Sequence, residues 1–319
     1  MESYEALVHS GFEGKPDVRD PKTLAWLIRR NGLEMTHISR GSHIGSVFSV
    51  AEIIAVLYSS VLNVDPKEPK NPDRDRLILS KGHAGSAVYA ALAETGFFPV
   101  EQLKTHYANG SILSGHVSHK GVPGVEVSTG ALGHGLGIGA GMALGAKMDG
   151  ARWRTYVVLG DGECDEGSVW ESALQAAQYK LDRLIAVVDY NHMQSLTTVE
   201  DTLRLEPFEQ KWKDFGWNAE SVDGHDTDAL LAAFARAKDN AGSRKPYVIL
   251  AHTVKGKGVS FMENQAGWHG KGPNDEECAK ALAEIDAVRR MIESGEESGT
   301  AYPASFSLTF RTDADGAAH

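Results

Sequence analysis

The 319-residue chain holds only two cysteines, Cys164 and Cys278. Two thiols so far apart make neither a disulfide framework nor a metal-ligand spacing, and their scarcity fits a reducing compartment. No run of about 18 apolar residues occurs, so no membrane span is expected. The amino terminus, MESYEALVHSGFEGKPDVRD, lacks the apolar stretch of a secretory signal, which makes a cytoplasmic location the expectation. Basic residues are outnumbered: 32 Lys and Arg against 43 Asp and Glu leave a net charge of −11. Nucleic-acid binders normally carry a basic stripe, so that class is excluded. Anionic small molecules are not, because a bound cation sets the local field. Internal repeats are missing, and so is any linker rich enough to divide domains.

Composition is otherwise ordinary for a soluble globular protein, with 42% hydrophobic and 24% charged residues. Helical and extended patterns alternate along the chain. Helices are expected over Thr23–Asn31, Ser49–Leu62, Gly85–Thr95, Leu136–Met148, Gly167–Lys180, Pro207–Phe215, Thr227–Lys238 and Asp275–Glu293. Asp226 or Thr227 is the expected cap of one of these, Asn274 of another. Strands are expected over Arg76–Leu79, Tyr156–Leu159, Leu184–Asp189 and Tyr247–His252. This alternation specifies an α/β fold, a doubly wound parallel sheet with helices on both faces. Residues 1–20 read as an irregular arm, 21–295 as one domain and 296–319 as a polar tail.

The richest stretch is GDGECDEGSVWESALQAAQYKLDRLIAVVDYNHMQ, Gly160 to Gln194. Strand, turn, helix and strand succeed one another here as a βαβ unit. A crossover helix returns the chain to the same sheet edge. Asp161 and Asn191, thirty positions apart, therefore meet there. A carboxylate and an amide oxygen are hard ligands suited to Mg²⁺ or Ca²⁺. Gly160 and Gly162 let backbone amides come close to a phosphate.

This segment resembles the thiamine diphosphate fingerprint, GDG followed about thirty positions later by Asn. Four further runs sharpen the likeness: NPDRDRLILSKGHA from Asn71, GVEVSTGALGHGLG from Gly124, LEPFEQKWKDFGWNAESVDGHD from Leu205 and KGKGVSFMENQAGWHGKGPNDEE from Lys255. Together they resemble the amino-terminal half of a transketolase, in particular the kind split into two polypeptides. The resemblance implies thiamine diphosphate with Mg²⁺ (Ca²⁺ as a substitute) and a metal held by Asp161, Asn191 and the backbone carbonyl of Met193. It implies cofactor contacts from His83, Gly130, Ala131, Leu132, Gly160, Asp161, Gly162, Glu163, Asn191 and His269. His43 and His269 are expected to move the hydroxyl protons of a reacting sugar. His116 is expected to bond the two-carbon fragment, and Glu166 to face a partner subunit.

The chain carries 13 histidines. Those at 43, 83, 116 and 269 stand in Gly- or Ser-rich contexts, where the backbone approaches a ligand closely and an imidazole works near neutral pH. His252 reads as structural; His37, His119 and His134 carry no assigned role. His116 and His119 form HxxH without the HExxH of a zinc hydrolase. Gly130 to Gly137 spaces its later glycines as GxGxG and does not follow a clear strand, so it is no dinucleotide loop. Lys255-Gly256-Lys257-Gly258 is either a solvated basic turn or a cation beside the diphosphate. Two positions depart from the family pattern, Cys164-Asp165 and Thr197-Thr198.

The expected activity is transfer of a two-carbon ketol unit from a ketose, free or phosphorylated, to an aldose, most simply that of the pentose-phosphate enzyme. The resemblance implies a separate carboxy-terminal subunit of similar size, joined in an α₂β₂ assembly through self-association. Alternatives are a two-subunit carboligase for a specialised sugar or sulfo-sugar, and a scaffold that kept the fold without catalysis.

Overall fold

Strand residues alternate between two separate apolar cores, and this alternation fixes the architecture. The computed structural model describes residues 16–294; residues 1–15 of the expected arm and the expected tail lie outside them. In chain order the main elements are α1 (Pro21–Ser39), α2 (Ile44–Ser49), α3 (Ala51–Val56), β1 (Arg76–Leu79), α4 (Gly85–Glu94), α5 (Gly135–Met148), β2 (Thr155–Gly160), α6 (Gly167–Gln178), β3 (Leu184–Tyr190), α7 (Val199–Thr202), α8 (Phe208–Asp214), β4 (Asn218–Asp223), α9 (Thr227–Asp239), β5 (Tyr247–His252) and α10 (Asp275–Ser294). The five strands form one sheet in the order β1-β2-β3-β5-β4, and every pairing is parallel.

Successive strand side chains point to opposite faces. Tyr156, Val158, Ile185, Val187, Ile249 and Ala251 pack with α1 to α4, α9 and α10. Their neighbours Val157, Leu159, Ala186, Val188, Val248 and Leu250 pack with α5, α6 and α8. Both faces are thus covered, the arrangement a parallel sheet requires.

Three local features differ from the sequence reading. Helix α1 runs well past Asn31 because both its ends are strongly marked: Asp20 accepts from the amides of Lys22 and Thr23, Pro21 stands in the first turn, and Arg40 closes the helix in the left-handed region. The stretch Ser49–Leu62 is not one helix: α2 ends at Ser49, α3 follows after Val50, and a wide turn of π type covers Leu57–Val61. Strand β4 escapes a pattern search because Asn218–Asp223 is a polar edge strand with no fully buried position. Two expected caps resolve cleanly. Asp226 accepts from the amides of Asp228 and Ala229 at the start of α9. Asn274 and Glu277 bond each other's amides reciprocally, each at 2.9 Å, at the start of α10.

Helix α5 contains five glycines between Gly135 and Gly145, and they do two different jobs. A Cβ at Gly135 would overlap Ser80, and one at Gly139 would overlap the Val157 side chain of β2. Gly141 and Gly145 have nothing within 4 Å of such a Cβ. In the isolated chain Gly139→Ala should therefore destabilise, by about 1–3 kcal/mol from overpacking. Gly141→Ala and Gly145→Ala should stabilise by about 0.5–1 kcal/mol each through helix propensity and chain entropy. Urea unfolding of the three variants checks this difference of sign.

Candidate active site

The carboxyl ends of β1, β2, β3 and β5 each lead into a polar residue at one edge of the sheet. Parallel pairing sets Gly160 beside Asp189, so Asp161 and Asn191 follow as neighbours. Asp161 is 2% exposed. Its Oδ2 accepts from the His192 amide at 2.6 Å and its Oδ1 from the Gly162 amide at 2.8 Å. Burial, then the charge of Asp189, raises its carboxyl to about 7. Asn191 turns its Nδ2 back towards Asp189 Oδ2 at 3.3 Å and Ser49 Oγ at 3.4 Å. That fixes Oδ1 on the other side, where it accepts from the Met193 amide at 3.1 Å. Met193 pairs with Thr198 across a tight turn, in which the Gln194 amide donates to the Thr197 carbonyl at 2.8 Å.

Behind this pair lies a buried ionic hub. Asp189, wholly buried, accepts from Lys81 Nζ, Thr253 Oγ1 and, at 2.6 Å, Ser49 Oγ. Burial pushes its carboxyl upward, but the Lys81 ammonium and these bonds outweigh it and hold it low. A second buried carboxylate, Glu163, joins three segments. It accepts from Ser80 after β1, from the Gly133 amide at 2.9 Å and from the Gly160 amide at 3.1 Å. Glu163 thus faces inward and holds the Gly130–Leu132 segment in place.

Four histidine rings converge over the same edge. His43 lies 5.3 Å from His83, 5.5 Å from His116 and 5.0 Å from His269 between ring centroids, and His83 lies 5.4 Å from His269. His43 takes a left-handed backbone, φ 75°, and its amide donates to the His269 carbonyl at 2.9 Å. Ser42 Oγ bonds its Nδ1 at 2.8 Å. Gly130, at φ 142°, would set a Cβ 2.8 Å from the His116 ring, so that close approach requires glycine. Burial lowers His43 to about 4, helped by His116, Lys255 and Lys81. Burial, Lys255, His43 and Lys81 lower His269 to about 3. Burial and Lys81 push His83 well below its usual value. At neutral pH these three rings are uncharged, the form that accepts a proton.

Lys255 settles one open alternative: it is 2% exposed and no solvated turn. Its Nζ donates to the Gln194 carbonyl at 2.9 Å and lies 3.0 Å from His269 Nδ1. Burial, then Lys81, lowers its ammonium to about 8. Other sequence candidates stand apart from the ring cluster. Glu166 is exposed at the start of α6, beside Gly133; Ala131 is exposed and Leu132 half-buried. His252 packs tilted against Tyr190 with ring centroids 4.9 Å apart, His119 bonds Ser128 Oγ at 2.8 Å, His134 the Leu132 carbonyl at 2.9 Å and His37 the Pro273 carbonyl at 3.1 Å.

Sequence reading passed over Lys81, Asp189 and Ser49. A signal was there for two of them. Asp189 ends an otherwise apolar strand run, and Lys81 comes two positions after another; a charge in such a place is buried and therefore paired.

Asp161 and the oriented amide of Asn191 present hard oxygen donors. Among the described residues no three His, Cys, Asp or Glu side chains cluster as a metal site. The donors present thus fit an oxygen-seeking divalent cation better than a softer metal. A dry carboxylate with raised proton affinity is also where such an ion gains most, because ion and proton compete for the same oxygens. Glycine-lined approaches and two buried lysines fit an anionic group beside that ion.

Fold and site together define a thiamine diphosphate-binding half-site: residues 22–287 match the family described as transketolase, thiamine diphosphate binding domain. The chain belongs to the transketolase family. It is 42% identical over 265 residues to one of the subunits of the apulose-4-phosphate transketolase of Phocaeicola vulgatus, covering 83% of this chain and 93% of that protein. It is 42% identical over 260 residues to a 6-deoxy-6-sulfo-D-fructose transketolase subunit of a Clostridium species, covering 82% and 94%. With human transketolase identity is 38% over 275 residues, covering 85% of this chain but 42% of that one. The crystal structure of transketolase from Campylobacter jejuni superposes with a TM-score of 0.77 at 28% identity, covering 84% of this chain and 42% of that chain. The chain thus spans under half the length of these longer relatives and nearly all of the subunit-type ones. Among the described residues no helix is long and apolar enough to cross a membrane.

The lowered histidines make stability pH-dependent. His43 and His269 take up a proton near 6.5 when unfolded, but only near 4 and 3 when folded. The unfolded chain therefore binds more protons between those limits. Their contribution is complete above about 6.5 and drains away as pH falls towards the folded values. As pH falls from 7 to 4.5, the melting temperature of His43→Asn should therefore rise relative to that of the wild-type chain. Calorimetric scans over this range are the measurement; equal slopes for the two proteins contradict the assignment.

Proposed function

We propose that this chain is the cofactor-binding subunit of a two-polypeptide transketolase, with its domain spanning about residues 21–295. The observation that carries the reading is the convergence of four histidine rings, with His83, His116 and His269 each 5.0–5.5 Å from His43, beside the strand ends that bear Asp161 and Asn191. In this reading Asp161, Asn191 and the Met193 carbonyl hold Mg²⁺, and Lys255 stands beside the diphosphate. Gly130 to Leu132 lie against the cofactor's pyrimidine ring, with Gly160, Gly162 and His83 near the diphosphate. Glu163 acts from behind, by holding the Gly133 amide.

When bound, thiamine diphosphate supplies the electron sink for breaking the carbon–carbon bond next to a ketose carbonyl. The chain's own groups handle protons and placement. Neutral His43 and His269 accept and return the proton of the ketose hydroxyl at the bond that breaks. His116 bonds the hydroxyl of the two-carbon fragment. Glu166, exposed on α6, faces the partner. That partner supplies the rest of the site, in an α₂β₂ assembly in the cytoplasm, and together they transfer a two-carbon ketol unit from a ketose to an aldose, phosphorylated or not. A specialised donor is favoured over the pentose-phosphate reaction, because the two relatives at 42% identity are subunits named for apulose 4-phosphate and for a sulfo-sugar.

Two measurements test the reading. Reconstitution with the partner should give ketol transfer that this chain alone lacks, and a screen of xylulose 5-phosphate, apulose 4-phosphate and 6-deoxy-6-sulfofructose should rank the donors. Full turnover by the isolated chain refutes the two-subunit reading. Asp161→Asn should abolish the rise in melting temperature produced by Mg²⁺ with thiamine diphosphate in the complex. Without them it should change the melting temperature little, because removing a buried charge offsets the one backbone bond, from Gly162 or His192, that the new amide nitrogen cannot accept.

A further inference from the structure

Lys255 sits on the loop after β5, and that loop is anchored from behind by a buried triad outside the ring cluster. Arg29 of α1 pairs with both oxygens of Glu52 of α3, at 2.7 Å for Nη2 to Oε2, and its Nε donates to the Lys257 carbonyl at 3.0 Å. His225, in the turn between β4 and α9, sets Nδ1 2.9 Å from Glu52 Oε2. Its Nε2 accepts from the Val254 amide at 2.8 Å. The ends of the segment Val254–Lys257 are thus held by His225 and Arg29, both bonded to one carboxylate. The Gly256 amide adds a bond to the Gly45 carbonyl at 2.9 Å.

The donor pattern leaves one tautomer. A backbone amide only donates, so His225 Nε2 must offer its lone pair to Val254. The proton then sits on Nδ1 and donates to Glu52. Burial works against the Glu52 charge, but Arg29 and His225 bring its carboxyl down to about 2, so it is ionised and accepts from both. With Val254 fixed, the next residue extends its side chain across the edge to the Gln194 carbonyl and His269 Nδ1.

We propose that His225 is a positioning residue for the active site: through the Val254 amide it holds Lys255 against His269 and beside the cofactor's diphosphate. His225 touches no reacting group itself. Placing Lys255 at the diphosphate rests on the functional reading above; the latch between His225 and the loop does not.

Two substitutions split the two ring nitrogens. In His225→Gln the amide oxygen reaches about where Nε2 lies and still accepts from Val254. In His225→Asn the amide nitrogen sits near Nδ1 and still donates to Glu52, but nothing reaches Val254. Amide hydrogen exchange of residues 253–258 in the full chain should speed up about tenfold in His225→Asn and stay near wild type in His225→Gln. In the reconstituted complex the dissociation constant for Mg²⁺–thiamine diphosphate should rise about tenfold in the Asn variant, with the Gln variant restoring it. Nitrogen-15 spectra of the wild-type chain should show His225 protonated at Nδ1 and bare at Nε2, which needs no variant to fold. Wild-type exchange in both variants, or a proton on Nε2, overturns the latch. Accelerated exchange with unchanged cofactor affinity in His225→Asn overturns the link to Lys255. A wild-type complex that binds no cofactor refutes the functional reading, while the exchange data still decide the latch.

Discussion

One buried ion pair, Lys81 with Asp189, ties together everything the site needs. Lys81 follows β1 and Asp189 is the last residue but one of β3, yet the two meet across the end of β2 because all three strands run the same way. The pair is almost fully withdrawn from water. Breaking such a pair by removing one partner typically costs about 3–5 kcal/mol, since the other charge is left stranded. Asp189 also receives Ser49 and Thr253, so α2 and the loop after β5 are pinned to the same carboxylate. Asn191 then has only one sensible orientation. The amide nitrogen turns inward to the hub, and the oxygen faces the Met193 amide on the other side.

Much of the fold was legible in the sequence because the central strands are short, apolar and flanked by glycine and aspartate. Tyr156–Leu159 and Leu184–Asp189 fall within β2 and β3. Strand β4 left no trace, because an edge strand with half-buried polar residues has no apolar run to find. The split of the expected 49–62 helix was equally hidden: the breaks fall at the apolar Val50 and Leu57, with no glycine or proline to mark them.

The site divides along the same physical line. Residues whose chemistry is local, such as His43 among its glycines and serines or Asp161 between Gly160 and Gly162, announce themselves. Residues whose role depends on a partner far away in sequence do not. Glu163 reads as one more acidic residue in an acidic turn, and only folding brings it to Ser80 and Gly133. His225 sits in a turn sequence that invites a surface assignment, and its two bonds reach Glu52 and Val254, one on each side of it in the chain.

The left-handed backbone at His43 has a mechanical consequence. A side chain in that region costs roughly 1–2 kcal/mol that glycine would not incur, yet an imidazole stands there. In that conformation its amide meets the His269 carbonyl, so two loops 226 positions apart are riveted backbone to backbone. Neither ring travels alone: a displacement of one loop carries the other with it, and the spacing between the two imidazoles survives small distortions of the scaffold. Pairing of this kind makes the two histidines a single hinge-free part.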